Sequence, residues 1–107
     1  MVERGIEQYN FGGTSDAYMT FKQACVFNPY SAKAFYYLAT VEFELNSYYE
    51  AESHVTSALR FADKKMSSDV HLLAGQIHHN LNHLDSAVYH YQVCTELLGE
   101  KTAKEFG

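Results

Sequence analysis

Residues 31–63 read SAKAFYYLATVEFELNSYYEAESHVTSALRFAD, and this stretch decides the fold. Phe35, Leu38, Val41 and Leu45 recur at spacings of three and four, which places them on one face of a helix. Ser31 stands at its start, where a hydroxyl accepts from the free N–H groups of the first turn. Asn46 stands at its end, because asparagine tolerates the left-handed conformation of a helix stop. Ser47, Tyr48, Tyr49 and Glu50 then have the form of a capping box. Ala51, Val55, Ala58, Leu59 and Ala62 share a face of the helix that follows. Ala39 and Ala51 are small where the two helices must approach closely. The stretch predicts two amphipathic helices joined by a tight turn.

The flanking sequence repeats this pattern. Ala17, Ala51 and Ala87 are separated by steps of 34 and 36 residues. The same two steps relate Phe21, Val55 and Tyr91, then Ala24, Ala58 and Cys94. They also relate the small residues Gly5, Ala39 and Gly75, the turn residues Gly12, Asn46 and Asn82, and the unit ends Pro29, Asp63 and Gly99. A shared period of this length is the signature of a repeat architecture. The two extra residues of the longer step are expected in the polar segment 64–68, with Ser67 or Ser68 opening the fifth helix. The expectation is one all-α domain, 1–107, with repeats at about 2–29, 32–63 and 68–99. Gly99 closes the sixth helix, and the tail 100–107 begins a seventh or frays.

Ala17-x3-Phe21 followed by Pro29, Phe35-x2-Leu38-Ala39, and Ala51-x3-Val55 together resemble the tetratricopeptide repeat family. The resemblance covers essentially residues 2–99. It implies three helix–turn–helix units stacked as a short right-handed superhelix. The chain departs from the family pattern in having no Trp, in Glu42 where Tyr is frequent, and in His71 in the column of Phe35. Residues 21–31, FKQACVFNPYS, and 97–102, LLGEKT, are similar to segments of the class II chaperones of type III secretion. That narrower resemblance implies a cytoplasmic chaperone of bacterial translocator proteins.

Composition bounds the alternatives. Apolar residues make up 47% of 107, enough for a core in one small domain. No apolar run reaches membrane-spanning length, and the first ten residues lack the features of a signal peptide. Cys25 and Cys94 sit singly in apolar helical patterns, as small buried hydrophobes suited to a reducing cytoplasm. A net charge of −5 argues against nucleic acid. Glu42, Glu44, Glu50 and Glu52 are expected to form an acidic edge, and Lys33, Arg60, Lys64 and Lys65 a more basic one. No glycine-rich phosphate loop or nucleophile elbow is present, and Glu42 and Glu44 diverge on a helix, so no enzyme is expected. Five of the six histidines fall between residues 71 and 90, without a recognised ligand spacing. They are read as packing and surface, with His54 and His90 in matching exposed places, and neither metal nor cofactor is expected. A zinc site or pH-sensitive surface is the third-ranked alternative.

In stacked helical hairpins the first helix of each unit lines the concave face, the usual binding surface. That face is expected to hold Ile6, Tyr9, Lys33, Tyr36, Tyr37, Thr40, Phe43, Leu72, Gln76 and His79. Its apolar-aromatic floor suits a peptide segment of another protein, bound by an adaptor or chaperone. Lys33 is the one basic residue among the positions that grip terminal carboxylates in one branch of the family. Tyr36 and Phe43 are expected to be surplus to folding. The rival expectation is a structural assembly module, a homo-oligomer formed through its repeats with helix six exposing apolar surface. Leu38 lies in the predicted seam, and Leu38→Ala is expected to lower unfolding free energy by about 2–5 kcal/mol in urea denaturation.

Overall fold

Three left-handed residues punctuate the chain at the predicted turn column: Gly12 at φ 85°, Asn46 at 63° and Asn82 at 62°. Each closes the same motif in the computed structural model, which describes the backbone of residues 1–106 and the side chains of 1–101. The N–H groups of Gly13, Ser47 and His83 donate to the carbonyls of Gln8, Glu42 and His78, each at 2.8 Å. Those of Gly12, Asn46 and Asn82 donate to Tyr9, Phe43 and His79, each at 3.1 Å. This double bond pattern satisfies the last carbonyls of a helix and turns the chain sharply.

Six helices result among the described residues: α1 Val2–Asn10, α2 Thr14–Phe27, α3 Ala32–Glu44, α4 Tyr48–Phe61, α5 Lys64–Asn80 and α6 Leu84–Phe106. The protein is all-α, with no strand among the described residues. No helix there is long and apolar enough to cross a membrane. The turns pair α1 with α2, α3 with α4, and α5 with α6, and successive hairpins meet through α2 on α3 and α4 on α5. In addition α1 touches α3 and α3 touches α5, with no equivalent packing of α2 on α4 or α4 on α6 among the described residues. The odd-numbered helices thus lie side by side and the even-numbered ones stand apart.

The core follows this order. Ala17, Phe21, Leu38 and Val41 join the first two hairpins. Ala39, Ala51, Val55, Ala58, Val70, Leu73, Ala74 and Ile77 join the second and third. Within the hairpins the small column faces the large one. A Cβ at Gly5 would run into the Phe21 ring, and one at Gly75 would lie 2.6 Å from Tyr91 Cε1. In the central hairpin the corresponding residues are Ala39 and Val55, both fully buried. Glycine stands where the partner is a ring, and alanine where it is valine.

Several local expectations are corrected. Ser31 caps α3 as expected, accepting from the Ala34 N–H at 3.1 Å. Ser47 makes no side-chain cap bond, so the predicted capping box does not form. Leu45 is the C-cap of α3 and 47% exposed, so it lies outside the seam. Residues 64–68 are helix, because Asp63 caps α5 by accepting from the Met66 N–H at 2.9 Å. The longer repeat step is therefore absorbed as added helix: α5 has 17 residues and α3 has 13. No proline follows Asp63 to enforce the four-residue link seen at 28–31. Gly99 does not stop α6, which continues through good helix formers to Phe106. The side chains of Ala103 and Phe106 lie outside the described residues. α6 exposes Leu84, Val88 and Tyr89.

Gly5→Ala is expected to destabilise the fold by about 1–3 kcal/mol through overpacking, outweighing roughly 1 kcal/mol of gained helix propensity. Adding Phe21→Val, which copies the central hairpin, should recover part of that loss in urea denaturation. Equal stability of the single variant and the parent would refute this packing account.

Candidate interaction face

The side-by-side packing of α1, α3 and α5 brings the predicted groove positions onto three adjacent helices. Val2, Tyr36 and Leu72 occupy one repeat column, Ile6, Thr40 and Gln76 the next, and Tyr9, Phe43 and His79 a third. The first two helices present theirs half-buried, and α5 presents Leu72, Gln76 and His79 exposed. Polar contacts brace the face at both ends. Lys33 Nζ reaches Glu3 Oε1 at 3.7 Å, and the Tyr9 hydroxyl donates to Glu44. Since each joins like ends of α1 and α3, those two helices run parallel. The hydrogen bond that Glu44 accepts raises the pKa of the Tyr9 phenol to about 12. The Thr40 hydroxyl turns back to the Tyr36 carbonyl at 2.8 Å. Burial, followed by the nearby Asp69 carboxylate, raises the Tyr36 phenol.

Several of these side chains also serve the core. Ile6, Tyr9 and Tyr37 pack on the first core cluster, and Tyr36 and Phe43 on the second. The Tyr37 ring is stacked on buried Phe21 at 5.5 Å and edge-on to Tyr36 at 5.3 Å. Phe43 leans on Tyr48 at 5.7 Å. The expectation that Tyr36 and Phe43 are surplus to folding is therefore corrected: each has one side in the core and one on the face. Helical spacing alone does not separate these roles, because a residue beside the seam touches both. None of the predicted groove residues lines the cleft beside Val88 and Tyr91 on α6 or the cleft beside Lys64 and Leu97.

A second arrangement escaped the sequence reading. Positions 8, 42 and 78 are polar, as are 20, 54 and 90, and each pair meets across its own hairpin. The Thr20 hydroxyl donates to Gln8 Oε1 at 2.6 Å. His54 Nδ1 donates to Glu42 Oε1 at 2.6 Å. The His78 and His90 rings stack at 5.4 Å. Glu42 is only 1% exposed, so it belongs to no acidic edge. The Tyr18 hydroxyl lies 3.5 Å from its second oxygen. Burial first and then Glu42 raise the Tyr18 phenol, and the same pair of causes pushes the half-buried Cys25 thiol up to about 11. Cys94 is buried, as expected. His54 and His90 are engaged in these pairs and are only partly exposed, contrary to expectation. The signal available in the sequence was two polar columns twelve residues apart in every repeat.

No family model matches the chain, and no curated protein matches it significantly.

Removing His54 leaves the Glu42 carboxylate buried without its cationic or N–H partner. His54→Ala is expected to cost about 3–5 kcal/mol of stability. Adding Glu42→Gln, which removes the stranded charge, should restore part of it. Equal losses in the single and double variants would show that the pair is not coupled.

Proposed function

We propose that this chain is a non-enzymatic interaction module of tetratricopeptide-repeat type, which binds a peptide segment of another protein along α1, α3 and α5. The observation that carries the reading is the packing of the odd-numbered helices into one continuous face while the even-numbered helices stand apart. Such packing curves a stack toward its odd side, and the right-handed superhelix of the family follows from a constant rotation per hairpin. The face offers Ile6, Tyr9, Tyr36 and Phe43 half-buried and Leu72 exposed, a run of apolar and aromatic groups beside polar ends. Aromatic side chains anchored on a rigid core lose little entropy on binding and commonly dominate interface energetics. A segment with alternating or helically spaced apolar anchors fits this surface. Glu44 and Asp69 border it, so basic residues flanking the anchors complement it. A cytoplasmic adaptor or chaperone is the class of protein that uses such a face. A translocator chaperone of bacterial secretion is its specific form, suggested by residues 21–31.

The second reading, a self-associating assembly module, is favoured by the exposed Leu84, Val88 and Tyr89 on α6. The two readings use different helices and are separable. Peptides selected by display against the full chain are expected to lose about 1–3 kcal/mol of affinity to Leu72→Ser/Gln76→Ala, measured by calorimetry. The same variant should keep the parent helical content, because both side chains are exposed. Selected peptides that bind parent and variant equally, but lose affinity to Val88→Ser/Tyr89→Ser, would overturn the peptide-face reading. They would move the interface to α6.

A further inference from the structure

We propose that Glu52, His78 and His83 form a binding site for a single divalent transition-metal cation, zinc by donor set and size. Glu52 comes from α4, His78 from α5, and His83 from the turn before α6. Their donor atoms form a nearly equilateral triangle. His78 Nδ1 lies 3.2 Å from His83 Nδ1, and Glu52 Oε2 lies 3.5 Å from the first and 3.3 Å from the second. A point about 2 Å from all three atoms exists just out of their plane, which is the zinc–nitrogen and zinc–oxygen bond length. The separations are those between ligands on one face of a tetrahedron. The three residues are the one His/Cys/Asp/Glu group among the described residues with such convergence. Two imidazoles and a carboxylate, with a fourth position left for water, are a zinc donor set.

The scaffold accounts for the convergence. His83 donates its backbone N–H to the His78 carbonyl, and left-handed Asn82 fixes that turn. The other two turns have the same backbone but carry Gln8 with Gly13, and Glu42 with Ser47. Only the third turn places two imidazoles at these positions. Glu52 also sits at a recurring contact: its repeat equivalent, Tyr18, approaches Glu42, the equivalent of His78. Behind the triangle the His78 ring stacks on His90, and His90 Nδ1 lies 2.9 Å from His71 Nδ1. The stack packs one face of the His78 ring. Side-chain exposure is 14% for His78 and 48% for His83, which leaves the open coordination position reachable from solvent. A cation here ties α4 to the α5–α6 turn and so locks the second hairpin to the third. The site stands independently of the peptide face.

The test uses the full chain, stripped with a chelator and titrated with ZnCl2 by calorimetry and with CoCl2 by visible absorption. The expected result is one ion per chain and the intense visible bands of four-coordinate cobalt. His83→Ala and Glu52→Gln, both at solvent-reachable positions, should each weaken binding at least about tenfold while the helical spectrum is kept. His79→Ala, one residue from His78 and outside the triangle, should bind as the parent does. No saturable isotherm overturns the site, as does equal binding by parent, His83→Ala and Glu52→Gln. One ion per two chains, or a loss in His79→Ala as large as in His83→Ala, does so too.

Discussion

The distance between the two helices of each hairpin is the constraint on which the rest depends. It is set at one pair of columns, where a small residue on the first helix accepts a large one from the second. Gly5 takes the Phe21 ring, Gly75 takes the Tyr91 ring, and Ala39 stands opposite the lesser bulk of Val55. Volume is traded across the pair: glycine stands opposite a ring and alanine opposite valine. Hairpins closed in this way stack through α2 on α3 and α4 on α5, with α1, α3 and α5 in one row. A hairpin closing wider than its neighbours would break the row and with it the face.

Parts of the structure governed by backbone conformation were legible in the sequence. Gly12, Asn46 and Asn82 mark the turns because few residue types adopt positive φ, and all three do so. The small and large columns were legible because close approach restricts residue type. Features that depend on the partner across a turn were not. Glu42 reads as a surface carboxylate from its own helix, and only the opposing His54 explains its burial. Glu52 reads as an exposed acid until the next hairpin presents His78 and His83 to it. A ligand-spacing search along the chain fails there, because one of the three donors comes from another hairpin. The start of α5 was missed for a different reason: Asp63 supplies the cap ahead of the serines, and no proline blocks the extra turn.

The polar pairs show how one backbone position carries different chemistry in successive repeats. Gln8 with Thr20 is a neutral hydrogen bond, Glu42 with His54 a buried acid–imidazole pair, and His78 with His90 a ring stack. In all three the first partner lies four residues before the left-handed residue of the turn and the second eight residues after it. Fold and chemistry are thus separable here. The repeat fixes where the pair lies, and the residues chosen fix what it does.

The order of packing has a consequence for how the chain folds and transmits strain. Among the described residues, neither helix of the first hairpin packs on either helix of the third. The contacts are dominated by near neighbours in sequence, a topology that forms rapidly because few long loops must close before contacts reward them. It is also one-dimensional. The central hairpin holds both interfaces, so it is the natural nucleus, and the terminal hairpins are free to fray without unfolding it. Communication between the ends passes through α3, which touches both the first hairpin and α5. A perturbation that loosens α3 uncouples the first hairpin from the third, and each end then responds to its surroundings alone.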